Sequence, residues 1–239
     1  CAGTAITLYG AGTANTYTWS NGVTNNQSFV PTATSTYTLT GVNTTNGCQS
    51  TSLINITVNP IPTVDPVQSV VRCAGSASGS FNFTGAIPNT VFTWTSSNTA
   101  INIGASGTGN IPSFTVANNT PNAIVSTITV TPKYTFNNIT CFGAPQTFTI
   151  TVNSILPGTI SAAQNLCSGE DPVALNVLTS ASGTGTLSTI WQQSPTANGP
   201  WTAIPGQTGS AYDPPILNSS TYYSILATSS LNNLSCSAM

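Results

Sequence analysis

The chain has 239 residues, and only 3% of them are charged, against about 25% in an ordinary globular domain. The charged set is Asp65, Arg72, Lys133, Glu170, Asp171 and Asp213, and there is no histidine. Two basic residues cannot form a stripe that meets phosphates or anionic lipid headgroups, which excludes a nucleic-acid interface and a polybasic membrane contact.

In chain order the sequence spells one plan three times: cysteine, strand, tryptophan strand, tyrosine- or valine-rich strand, cysteine. The first copy runs Cys1, "TAITLY", "TYTWS", "STYTLTG", Cys48, "SLINITVNP". The second runs Cys73, "GSFNFTG", "TVFTWTS", "AIVSTITVTP", Cys141, "PQTFTITVN", and the third Cys167, "DPVALNVL", "LSTIWQQ", "STYYSILATS", Cys236. Apolar and polar residues alternate along these runs with a period of two, as on half-buried antiparallel strands. In "TFTITV", Phe148, Ile150 and Val152 share one face and threonines take the other; threonine suits a wet strand face because its β-branch favours extended backbone. "SNG", "TNG", "GASGTGN" and "ANG" supply turns, and proline clusters at Pro60–Pro66 and at Pro157 mark borders. The expected architecture is all-β: three tandem antiparallel sandwiches over residues 1–60, 61–153 and 154–239. The first is expected to lack its opening strand and the third its closing strand, as in a window cut from a longer array. No apolar run reaches the ~18 residues of a spanning helix.

A large indole recurs among threonines and asparagines at Trp19, Trp94 and Trp191. Immunoglobulin-like sandwiches bury a tryptophan on a central strand, so these three are expected core residues. The six cysteines are Cys1, Cys48, Cys73, Cys141, Cys167 and Cys236. No CxxC pair and no histidine is available for a zinc site. Each core tryptophan lies between two consecutive cysteines. Of the fifteen connectivities open to six cysteines, the sequential one is therefore the simplest: Cys1–Cys48, Cys73–Cys141 and Cys167–Cys236, one disulfide per module, in an oxidising extracellular setting.

"TYTWSNG" with "PTATSTYTLTGVNTTNGC" and "ITVNP" resembles the Ig-like repeats of large secreted surface proteins of Bacteroidota. "GSFNFTGAIPNTVFTWTSSNTAINIGASGTGNIPSFTVANNT" through "GAPQTFTITVN" resembles their PKD-like repeat, and "IWQQSPTANGPWTAIPGQTGSAYDPP" with "STYYSI" a third repeat type. The combination is similar to gliding-motility adhesins exported by the type IX secretion system. That resemblance implies a long cell-surface filament that touches substrata. Related repeats often carry arginines after the paired tyrosines; here Tyr222–Tyr223 is followed by Ser224 and Ile225.

Other readings of the residues point away from chemistry. Glu170–Asp171 is the one carboxylate pair; alternation before Pro172 sends the two side chains apart, and no histidine activates a hydroxyl. No catalytic residue, metal ligand or cofactor is expected. Calcium wants several carboxylates, whereas Asp65 stands alone at the first border. Trp201, in "NGPWTAIPG", is the one tryptophan outside the core position: it is read as a cover for the sandwich edge, with sugar stacking as the alternative. N-x-S/T sequons at Asn26, Asn43, Asn55, Asn82, Asn118, Asn138, Asn218 and Asn233 are expected of so Asn- and Thr-rich a chain. The expected partners are neighbouring repeats of the same chain, with lateral self-association and a glycan or surface ligand as further partners. The expected role is a non-catalytic structural spacer in an adhesin filament. The alternatives are a module that itself binds glycan or surface, and a filament subunit built by strand exchange.

Overall fold

The computed structural model describes all 239 residues, and apart from one 3-10 turn its regular elements are all strands. The alternating runs become strands where an apolar face finds a partner sheet.

In the first repeat β1 (Ile6–Thr7) pairs with β3 (Ser28–Phe29), and β2 (Thr16–Trp19), β4 (Ser35–Val42) and β5 (Gln49–Ile56) form a second, antiparallel sheet in the order β2-β4-β5. Leu8 and Tyr37 are buried, and the Phe29 and Tyr37 rings lie 5.5 Å apart. β5 is exposed along nearly its whole length, including Leu53 and Ile54.

The second repeat is one six-stranded sheet. It is built from β6 (Val70–Cys73), β7 (Val91–Ser96), β8 (Ser106–Thr108), β9 (Ile124–Phe136), β10 (Ile139–Phe142) and β11 (Gln146–Asn153). The order is β6-β11-β9-β7-β8, with β10 on the far end of β9. β6 runs parallel to β11, with Cys73 opposite Asn153. Ile101, Val116, Ile128, Val130, Ile150 and Val152 are completely out of solvent, and Trp94 nearly so. The expected strand in "GSFNFTG" is reduced to a single bridge, Phe81 to Ile111. A 3-10 turn at Thr99–Ile101 is capped by the Asn98 side chain, which accepts from Ala100 N–H.

In the third repeat β12 (Ile155–Leu156) pairs with β15 (Ser182–Gly183), and β13 (Thr159–Ile160), β14 (Leu175–Thr179) and β18 (Ala211–Tyr212) form a three-stranded sheet in the order β13-β14-β18. The main sheet holds β16 (Thr186–Ser194), β17 (Thr202–Ala203), β19 (Tyr222–Leu231) and β20 (Leu234–Ala238), ordered β17-β16-β19-β20. Its core is Leu175, Trp191, Tyr212 and Ile225.

The chain divides into two compact units that do not follow the repeats. One is Cys1–Pro66 with Phe83–Trp94 and Val130–Gln146; the other is Val67–Asn82 with Thr95–Thr129 and Thr147–Met239. The first repeat thus shares a unit with one part of the second repeat, and the third repeat shares a unit with the remainder.

Each disulfide lies within one of these units, and the two overturn the sequential pairing. Cys1 bonds Cys141, and Cys73 bonds Cys236, with Cα–Cα distances of 5.6 and 5.5 Å. Cys48 and Cys167 are free and exposed, so neither Cys1–Cys48, Cys73–Cys141 nor Cys167–Cys236 exists. Strand length is the reason. A strand rises ~3.3 Å per residue, while a disulfide needs Cα atoms within about 7 Å. Cys1 sits beside Asn59, because Ala2 N–H donates to Asn59 O (2.8 Å), but Cys48 opens β5 at its other end. In the third repeat Gly169 N–H donates to Leu217 O, ahead of β19, whereas Cys236 pairs with Ser229 deep along β19. In the first and third repeats the two cysteines are thus held at opposite ends of a strand, and in the second Cys73 and Cys141 belong to different compact units.

Candidate functional site: a clasp between repeats

Each clasp is assembled from four pieces of sequence. The first is a tight turn that presents the leading cysteine. "CAGT", "CAGS" and "CSGE" fold alike: in each, the N–H three residues on (Thr4, Ser76, Glu170) donates to the cysteine carbonyl at 3.1 Å. Gly3, Gly75 and Gly169 hold φ of 79°, 82° and 87° at the third position, a conformation that only glycine adopts without cost. In the third copy the Glu170 carboxylate also accepts from Cys167 N–H (2.7 Å), which gives that acidic residue a local structural task.

The second piece is the asparagine that ends each "TVN". The residue after the leading cysteine donates to its carbonyl: Ala2 to Asn59 and Ala74 to Asn153, both at 2.8 Å. Both asparagines are buried, at 5% and 0% exposure, so their amides must find partners. They find them in the next repeat. Asn59 Nδ2 donates to Phe136 O (3.0 Å) and Ile139 O (3.3 Å). Asn153 Nδ2 lies 3.4 Å from both the carbonyl and the hydroxyl of Ser229.

The third piece is the receiving hairpin. "NNITC" and "NNLSC" turn on Asn137–Asn138 and Asn232–Asn233, all four at positive φ, as a two-residue hairpin turn demands and asparagine tolerates. Each turn places a cysteine three residues further on, Cys141 and Cys236, whose own surfaces are 1% and 4% exposed. The fourth piece is the linker, which presses on glycines of the next repeat. A Cβ on Gly143 would collide with the Pro62 carbonyl, and one on Gly183 would stand 2.8 Å from the Ser154 carbonyl.

Trp191 is wholly buried and its indole N–H donates to Gly209 O (3.0 Å). Trp94 is buried with its indole N–H unpartnered. Trp19 is only half-buried and donates to Asn25 Oδ1 (3.1 Å). Trp201 is half-buried just ahead of β17. Asp65 accepts from the Thr84 hydroxyl (2.7 Å) rather than facing other acids, and no group of three potential metal ligands occurs. Burial, and then the neighbouring Tyr212, raises the Tyr223 phenol above the usual tyrosine range. No helix is long and apolar enough to cross a membrane.

The sequence marks the cysteines, and it carries "TVN" at both Thr57–Asn59 and Thr151–Asn153. Sequence reasoning missed the asparagine's role, the C-x-G turn and the paired-asparagine hairpin. The signal was present: the triplets after Cys1, Cys73 and Cys167 repeat, and "NN-x-x-C" occurs twice.

A family described as a domain of unknown function (DUF8696) matches residues 156–239. No curated protein is significantly similar in sequence. Among solved structures, the chain is similar to a three-domain fragment of titin (15% identity, 84% of this chain and 70% of that one, TM-score 0.35). It is also similar to the three N-terminal domains of the highly immunogenic outer capsid protein Hoc of bacteriophage RB49 (16% identity, 97% and 91%, TM-score 0.36).

Proposed function

We propose that this chain is a load-bearing, non-catalytic segment of an extracellular repeat protein. Its three modules would space and present an adhesive surface, in keeping with the resemblance to gliding-motility adhesins of Bacteroidota exported by the type IX secretion system. The observation that carries this reading is the interleaving of the two disulfides. They reduce the chain, as a covalent object, to two nodes, Cys1 with Cys141 and Cys73 with Cys236. Three segments join these nodes in parallel: residues 1 to 73, 73 to 141 and 141 to 236, or 72, 68 and 95 peptide steps by subtraction. A pull applied between Cys1 and Cys236 is shared by three backbones. Even with every strand melted, the shortest segment stops the extension. At ~3.6 Å per step the limit is about 240 Å, against about 850 Å for the reduced chain.

Persistent disulfides are in keeping with an oxidising compartment, and a nearly uncharged, threonine-faced surface suits a tethered extracellular module. The test is single-molecule stretching between the two ends of the chain. Extension that stops near 240 Å without reductant and lengthens more than threefold with it supports the load-bearing reading. Full extension without reductant would sink it.

A further inference from the structure

The two bonded pairs obey one rule. The leading cysteine of a repeat, in its C-x-G turn, takes the hairpin cysteine of the repeat that follows: Cys1 takes Cys141, and Cys73 takes Cys236. Under that rule the two cysteines without a partner among these three repeats are Cys167, a leading cysteine, and Cys48, a hairpin cysteine. Those two are the free and exposed ones.

Cys167 is presented as its bonded counterparts are, whereas Cys48 shares with its counterparts the place after a hairpin turn but stands just ahead of its strand and in the open. The Cys167 turn has the same Glu170 N–H to Cys167 O closure and the same left-handed glycine as the turns at Cys1 and Cys73. Cys48 also follows a hairpin turn, the one that joins β4 to β5, but directly after residues 44–47 rather than after a paired-asparagine turn, with Asn43 N–H donating to its carbonyl (2.8 Å). Cys167 also lines an open cleft of about 630 Å³, between Gln164–Ser168 and Leu217–Tyr223, which leaves it reachable.

We infer that Cys167 and Cys48 are the two complementary halves of a further clasp, each made to bond a cysteine of the opposite class in another repeat of this kind. A second copy of this chain, joined head to tail through Cys167 and Cys48, supplies both halves. The step converts two thiols and one molecule of a disulfide oxidant, such as oxidised glutathione, into one protein disulfide and two reduced thiols, so electrons and protons balance. The inference rests on reading the clasps as couplings between repeats. Its test is separate, because stretching probes the bonds inside one chain and cross-linking probes those between copies.

The experiment uses Cys48→Ser and Cys167→Ser variants, each alone and mixed, incubated with a glutathione redox couple. Covalent products are read by non-reducing electrophoresis and peptide mass mapping. The expected result is a covalent dimer in the mixture carrying a Cys48–Cys167 peptide, loss of that dimer in either variant alone, and a ladder of multimers for the unmodified chain. Mapping of Cys1–Cys141 and Cys73–Cys236 in every sample confirms that the variants keep their clasps. Equal dimerisation of each variant by itself, or no dimer in the mixture while the clasps are intact, would overturn the complementary pairing.

Discussion

The two clasps share a sequence recipe and differ in how they are packed. Around Cys1–Cys141 the linker is held to the next repeat mainly through its backbone: Asp65 N–H donates to Thr84 O (2.8 Å) and Gly143 lets Pro62 lie directly upon it, with one side chain added where the Thr63 hydroxyl accepts from Ala86 N–H (3.1 Å). Asn59 there serves two carbonyls. Around Cys73–Cys236 hydroxyls carry more of the contact. The Thr184 hydroxyl donates to Pro121 O (3.0 Å) and accepts from Ala123 N–H (2.5 Å), and the Ser229 hydroxyl donates to Thr184 O. Asn153 is completely buried but its Oδ1 has no partner. The covalent bond is thus the constant element, and the non-covalent surround varies with whatever the two repeats offer.

If the bond is the constant, breaking it should hurt both clasps alike and most of all. Closing a loop of 140 or 163 residues removes about 5 kcal/mol of unfolded-state entropy. Cys141→Ser and Cys236→Ser are therefore each expected to lower stability by up to about that amount. Hydrogen exchange at β10 and β20 should show protection lost at the cut clasp and kept at the other. Equal loss at both from one substitution would mean that the clasps are not separable.

The next test separates their linkers. Gly143→Ala drives a methyl group into the Pro62 carbonyl, whereas at Gly183 the added Cβ meets Ser154 O at 2.8 Å, next to a two-residue strand pair. Overpacking of this kind costs about 1–3 kcal/mol. The Gly143 substitution should fall at the upper end of that range and the Gly183 substitution at the lower, measured by urea midpoint. A reversed order would show that backbone stitching is the softer of the two surrounds.

How much of this was legible in the sequence follows from which interactions are local. Alternation in "TFTITVN" and "STYTLTG" marked β11 and β4, because a strand's faces are set within the strand. The C-x-G turns and the NN-x-x-C hairpins are local too, and so were readable in principle. The pairing of cysteines was not, because it depends on which ends of which strands meet across a border, and sequence order favours the wrong neighbour. Similarity of pattern also failed to fix burial. "SLINITVN" and "TFTITVN" look alike, but β11 is buried against β6 whereas β5 has a ladder neighbour on one edge and exposes Leu53 and Ile54.

A smaller effect should come from the asparagines. Asn59→Ala strips the part-buried hydrogen bonds to the Phe136 and Ile139 carbonyls, at a cost of about 1 kcal/mol or somewhat more. Asn153→Ala removes longer contacts and also an oxygen that has no partner, so it should cost less. Thermal melts of the two variants decide it, and a larger loss at Asn153 would mean that full burial outweighs hydrogen-bond geometry.

The smallest expected effect confines itself to the third repeat and sharpens the contrast by pH. Tyr223 packs its ring 5.6 Å from that of Tyr212 beside Trp191, and burial, with Tyr212 second, raises its phenol above the ordinary value of 10.0. A tyrosine is neutral when protonated, and the raised value means that the folded state holds the proton more tightly than the unfolded chain does. Its stabilising contribution is therefore complete below pH 10 and is lost as pH rises from there through the folded-state value. Hydrogen exchange or near-ultraviolet dichroism should report a modest loosening of the third repeat in that window, and Tyr223→Phe should abolish this component while leaving the Cys1–Cys141 clasp unchanged. The same alkaline loosening in the phenylalanine variant would assign the effect to other groups and remove pH as a means of telling the two clasps apart.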